Sequence, residues 1–141
     1  EKITALAELC SENFADYNAE RMARLIKKRM SSGEIFVIEH KNNIAGFIMF
    51  SKKNKTIDHI AVSPDYRRIG IASRLMVTAM AQFEVGEELS AVTFRQEHPM
   101  SDGVSRMYKK FGFDDEKNIV VRGEPLVKRT AVVPEKAIIT E

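Results

Sequence analysis

The order of hydrophobic periods along the chain predicts an α/β (α+β) domain, a sheet covered by helices on both faces. Two segments with apolar residues three and four apart open the chain. Strand-like and helix-like periods then follow in the order α-α-β-β-β-α-β-α-β-β. The link between the third and fourth strands is long enough for a parallel crossover around a helix.

Each element has its own signal. "ITALAELCSENF" spaces Leu6, Leu9 and Cys10 as a short amphipathic helix. "NAERMARLIKKRM" repeats the pattern through Ala19, Met22, Ala23, Ile26 and Met30. Its other face is basic, with Arg21, Arg24, Lys28 and Arg29, and Gly33 stands where a helix ends. "EIFVIEH" reads as a strand, "KNN" as a tight turn in which Asn tolerates positive φ, and "IAGFIMFS" as the antiparallel partner. After the polar turn "KKNK" comes the strand "TIDHIAV". A helix is predicted from Ile69 to Glu84, with Ile71, Leu75, Met76, Ala79, Met80 and Phe83 on its apolar face and Gly86 as its stop. "LSAVTFR" is a strand, "DGVSRMYKKF" a short helix stopped by Gly112, and "FDDEKNIVVRG" and "PLVKRTAVV" are the last two strands. One domain is expected over residues 1–141, with 134–141 as a loose tail or exchange arm.

Composition narrows the classes of function. The 141 residues are 44% apolar and 30% charged, enough for a real core and unlike a disordered chain. A net charge of +2 argues against a general nucleic-acid coat. No apolar run approaches the roughly 20 residues that span a bilayer, and no secretory leader pattern is visible. Neither nucleic acid nor membrane is therefore expected as a partner. The chain starts at Glu1 without Met, so some N-terminal sequence is expected to be missing. Cys10, the single cysteine, reads as a small core residue and fits a reducing compartment, with a cytoplasmic location expected. The histidines lack H-x-x-x-H and H-E-x-x-H spacing, so no metal is expected. There is no G-x-S-x-G elbow for a serine nucleophile.

The segment "DYRRIGIASRLM" carries the chemistry. The first turn of a helix presents unpaired N–H groups and a partial positive charge, which attract anions. Gly70 and Ala72 have little or no side chain, and Arg67 and Arg68 add donor forks, so the junction reads as a pyrophosphate cradle. A lone R-x-x-G-x-A also arises as an ordinary surface turn. The phosphate-binding loop G-x-x-x-x-G-K-[ST] is absent, and so is G-x-G-x-x-G after a first strand.

The wider stretch "IDHIAVSPDYRRIGIASRLM" resembles the acetyl-CoA-binding segment of the GNAT superfamily of N-acetyltransferases, with Arg67, Gly70 and Ala72 in its three defining places. About 35 residues on, "SRMYKKFGFDDE" is similar to the family's L-Y-x-K-x-G-F segment, through Met107, Tyr108, Lys110, Gly112 and Phe113. The resemblance runs from about Ile3 to Val133. It implies the GNAT fold, a mixed, mostly antiparallel sheet with a splayed parallel strand pair. It also implies a strand before the first helix, which nothing ahead of Ile3 provides.

The resemblance further implies an N-acetyltransferase in which a primary amine of a small molecule or peptide attacks acetyl-CoA directly, without a covalent enzyme intermediate. In that reading the pantetheine arm and the oxyanion donor lie along Ile60, Ala61 and Val62, and the pyrophosphate on Arg67, Arg68, Ile69, Gly70, Ile71, Ala72 and Ser73. Ser101 falls where relatives often place a cofactor-contacting Asn. Tyr108 is the expected acid for the leaving thiolate. Asp58 is the candidate base, and reads equally as a strand-end carboxylate facing solvent. Strand alternation turns His59 to the opposite face as a packing or surface residue. Glu97 and His98 are loop residues and His40 a surface residue at a turn. The rival reading is a catalytically weak acyl-CoA-binding module for sensing or interaction. The final apolar strand and tail suggest a homodimer.

Overall fold

The computed structural model describes residues 2–11, 14, 17–67, 69–94 and 101–135, of which 94 and 101–105 are described by backbone alone. Helices α1 (Lys2–Leu9) and α2 (Ala19–Ser32) precede three strands, β1 (Ile35–His40), β2 (Asn43–Ser51) and β3 (Thr56–Val62). A 3-10 turn, Pro64–Tyr66, leads to α3 (Ile71–Met80). Then come β4 (Glu88–Phe94), α4 (Ser101–Lys110), β5 (Asp115–Val121) and β6 (Glu124–Val132). The strands make one sheet in the order β1-β2-β3-β4-β6-β5, antiparallel throughout except between β3 and β4. This is the element order and the mixed sheet that the sequence predicts.

Two cores lie on opposite faces of the sheet. On one face α3 packs over β1, β2 and β3, and α4 over β4. Ile48, Phe50, Ile57, Leu75, Met76, Leu89 and Phe113 are buried there. On the other face α1 and α2 bury Leu6, Ala7, Cys10, Met22 and Ile26 against Phe47, Met49 and Ala61. Gly46 sets how closely α3 approaches the sheet. A Cβ at that position would stand 2.8 Å from the Ala61 carbonyl oxygen and 3.1 Å from Cγ2 of Ile71, so no larger residue fits without a shift.

The buried stripes of the first two helices differ from the expected ones. In α1 and the residue after it, Leu6, Ala7 and Cys10 point inward while Leu9 is 64% exposed. In α2 the buried positions are Met22, Ile26 and Arg29, and Met30 lies on the surface. The spacing 22-26-29 is as good a helical stripe as 22-26-30. Hydrophobicity alone favoured Met30, but a carboxylate partner on β3 pulls Arg29 to the inside.

Helix α3 is shorter than predicted at both ends. Gly70, at φ +87°, is its N-terminal boundary residue, and the Gly70 carbonyl accepts from Arg74 N–H. At the far end the chain tightens after Met80, with Gln82 and Phe83 N–H bonded three residues back. That turn buries Phe83 edge-on against Phe50, so its apolar character marked packing and not helix. The β1–β2 connection is a two-residue turn with Lys41 and Asn42 both at positive φ, as "KNN" predicts. The β5–β6 hairpin closes in the same way through Arg122 (φ +48°) and Gly123 (φ +81°).

Candidate active site

The site begins where two parallel strands part. β3 and β4 share a single register pair, Thr56 with Ser90, and Ser90 N–H donates to the Lys55 carbonyl. Beyond that pair the described residues show no further pairing between them, so the strands diverge toward Val62 and Phe94. A gap opens in the middle of the sheet, with Ile60, Ala61 and Val62 along one side. Arg67 closes its end, Nε donating to the Val62 carbonyl at 3.0 Å and Nη2 lying 3.7 Å from the Cys10 sulfur. The Arg67 side chain is thus directed at the strand end. Arg68, Glu97 and His98 lie outside the described residues.

The start of α3 lies on one side of the gap. Among the described residues nothing lies within 4 Å of where a Cβ on Gly70 would sit, and no side chain caps the helix. The N–H groups of Ile71, Ala72 and Ser73 belong to the first turn, where a helix has no acceptors of its own. Lys110 Nζ donates to the Ser73 hydroxyl at 2.9 Å, which brings a cation from α4 to that turn. Lys110 stands within the "MYKKFGF" motif, but its contact with Ser73 could not be read from spacing. Ile69 is exposed, and Ser101 is the first residue of α4. The Tyr66 hydroxyl and His40 Nδ1 are 3.1 Å apart, tying the turn before α3 to the end of β1.

Tyr108 lies on the same side of the sheet, 5% exposed, its ring edge-on to Phe113 at 5.3 Å. Burial holds its phenol well above the ordinary tyrosine range. The Asp58 carboxylate adds to that shift and the Arg129 guanidinium opposes it. Arg129 is itself buried, with Nε on Thr93 Oγ1 at 2.8 Å and Nη1 on Glu116 Oε2 at 2.7 Å.

The other side of the gap opens into a cleft of about 520 Å³ between α2, β3, β4 and the β5–β6 turn. Asp58 and His59 both line it, against simple alternation. The reason is a bulge. Met49 pairs with His59 but Phe50 pairs with Ile57, leaving Asp58 as an extra residue in β3. A bulge re-aims neighbouring side chains, here two polar ones onto one face. Asp58 Oδ2 accepts from Arg29 Nε at 2.8 Å and Oδ1 accepts from Thr56 Oγ1 at 2.8 Å. Arg29 Nη1 also stands 3.6 Å from Glu34 Oε1. Asp58 is therefore a fixed, ion-paired carboxylate rather than one free in solvent. His59 packs on Phe14 at 4.9 Å, and burial pulls its imidazole down from 6.5 to about 4, with Asp58 pulling weakly the other way.

Arg21, Arg24 and Lys28 form the α2 wall of the cleft, and Arg122 the opposite one. Sequence reading placed the first three on a basic helix face but missed Arg122, for which "RGE" gave only a turn signal.

A family model described as "Acetyltransferase (GNAT) domain" matches residues 31–115. This chain belongs to the GNAT acetyltransferase family. Among solved structures it is similar to a GNAT-family protein from Desulfovibrio desulfuricans, at 16% identity and a TM-score of 0.72, over 93% of this chain and 90% of that one. The yncA protein of Salmonella typhimurium, solved with acetyl-CoA, gives a TM-score of 0.62 at 13% identity, over 94% and 87% of the two chains. Arabidopsis thaliana Naa50, solved with the bisubstrate analogue CoA-Ac-MVNAL, gives 0.67 at 17% identity, over 91% and 88%. At these identities the likeness is one of fold. No curated protein matches in sequence.

Two outcomes follow from this geometry. The Arg29 and Asp58 side chains are 7% and 15% exposed. Arg29→Met should therefore destabilise the protein by about 3 kcal/mol, because it strands a carboxylate in a poorly solvated place. Urea unfolding of the cycle with Asp58→Asn should give a coupling of at least about 1 kcal/mol, and additive losses would contradict it. For His59, the folded state binds fewer protons than the unfolded chain between about pH 4 and 6.5, so stability rises with pH across that window and is lost on acidification. Part of the ring faces the cleft, so the loss from pH 7 to 4.5 should be about 1–2 kcal/mol. His59→Gln should remove that component, and an unchanged pH slope in the variant would exclude it.

Proposed function

We propose that the protein is an N-acetyltransferase that moves acetyl from acetyl-CoA to a primary amine by direct attack on the thioester. The observation that carries this reading is the gap between β3 and β4, with an anion-attracting helix start on one face and a polar cleft on the other. The pantetheine arm lies along Ile60 to Val62, and the pyrophosphate on the first-turn amides of Ile71, Ala72 and Ser73, with Gly70 leaving room and Lys110 adding charge. The amine enters from the α2 side, so the two substrates meet across the sheet.

The chain's residues then divide the proton work. The amine nitrogen bonds to the carbonyl carbon, a backbone N–H near Ile60 to Val62 stabilises the oxyanion, and the carbon–sulfur bond breaks. The Asp58 carboxylate, held by Arg29 and Thr56, draws the ammonium in and takes its proton directly or through water; each carboxylate oxygen keeps a lone pair for this. Neutral His59 adds no opposing charge. As the intermediate collapses, Tyr108 gives its proton to the leaving thiolate and the nitrogen gives up its second proton, which restores the phenol directly or through water, so that the amide and the free CoA thiol are the products. Its raised pKa is compatible with that role, since the dry surroundings that hold the phenol protonated also raise the basicity of a thiolate beside it.

Tyr108→Phe should lower kcat for amine-dependent CoA release at least about tenfold, with KM for acetyl-CoA within about twofold. Near-wild-type turnover would remove Tyr108 from the mechanism. Acetyl-CoA binding with no release on any amine would contradict transfer and favour an acyl-CoA-binding module.

A further inference from the structure

We infer that the acceptor is a small primary amine carrying a carboxylate or phosphate, held by a cationic wall on α2. This rests on the transferase reading above and specifies its second substrate. Arg21, Arg24 and Lys28, at i, i+3 and i+7, share one helix face and line the cleft together, and Arg24 and Lys28 are exposed there. Arg122 lines it from the other side. Among the described lining residues the single carboxylate is Asp58, whose charge is already matched by Arg29 from beneath. His59 beside it is neutral at pH 7, because burial disfavours its charged form. Among the described lining residues, cationic side chains thus outnumber carboxylates, with Arg24 and Lys28 exposed on the α2 wall and Asp58 at the floor.

That arrangement sorts acceptors by charge and size. The ammonium end is drawn to Asp58 at the strand gap, and an anionic group at the other end meets the α2 cations. A polyamine presents a second positive charge to the same wall and is repelled. The volume, about 520 Å³, suits a compact molecule.

The test compares matched acceptors on the full chain with acetyl-CoA: O-phosphoethanolamine against ethanolamine, β-alanine against its amide, spermidine, and a short acidic peptide. The expected result is kcat/KM at least about tenfold higher for the anionic member of a pair. Arg24→Gln with Lys28→Gln should shrink that preference at least about threefold, through the KM of the anionic acceptor more than through kcat, with the KM for acetyl-CoA within about twofold. Preference for phosphate over carboxylate, or the reverse, identifies which anion the wall holds. Equal use of charged and neutral amines, a preference for spermidine, or a strong preference for the peptide would overturn the inference while leaving the transferase intact. Absence of turnover with every amine would instead overturn the transferase reading itself, and this inference with it.

Discussion

The parting of β3 from β4 is the constraint on which the rest of the structure depends. A sheet ordinarily satisfies its backbone by pairing every interior strand on both edges. Here two interior strands share one register pair and then separate, so that among the described residues a strand edge in the middle of the sheet has no strand partner. The fold supports that gap from all sides. β2 holds β3 from one side in full register apart from the bulge, and β6 holds β4 from the other through seven consecutive pairs. Gly46 lets α3 close over one face, and α2 fastens β3 from the other through the Arg29–Asp58 pair.

Stability and proposed chemistry therefore use the same residues. The bulge at Asp58 breaks strand alternation, and in doing so delivers Asp58 and His59 to the cleft floor. Arg29 compensates the carboxylate in a place where an unpaired charge would be costly. Arg67, which its motif assigns to the proposed phosphate cradle, also locks the end of β3 through the Val62 carbonyl. The proposed cradle would be formed by the first turn of α3, with Gly70 leaving open space before it and Lys110 reaching over from α4 to Ser73.

Most of this architecture was legible in the sequence because periodicity and turn chemistry are local. The element order, the "KNN" turn and the glycine at the start of α3 follow from a few neighbouring residues each. What sequence could not give is set by contacts between distant segments. Arg29 and Met30 are equally placed on a helix wheel, and only Asp58, twenty-nine residues on, decides which turns inward. The facing of His59 depends on a register slip between β2 and β3, invisible in an alternating strand pattern. Phe83 had the right spacing for a helix but lies in the turn that follows one. The motif resemblance marked the proposed cofactor side, whereas the proposed acceptor side is composed of α2, the bulge and a hairpin turn that no single motif joins.

The most direct test of the central idea, that the strand gap and the α3 start together hold the acyl donor, is amide hydrogen exchange with and without saturating CoA. Exchange should slow at Ile60 to Val62 and at Ile71 to Ser73, with β1 and β5 unchanged. Protection confined to the α2 cleft, with β3 and α3 exchanging as in the free protein, would contradict it.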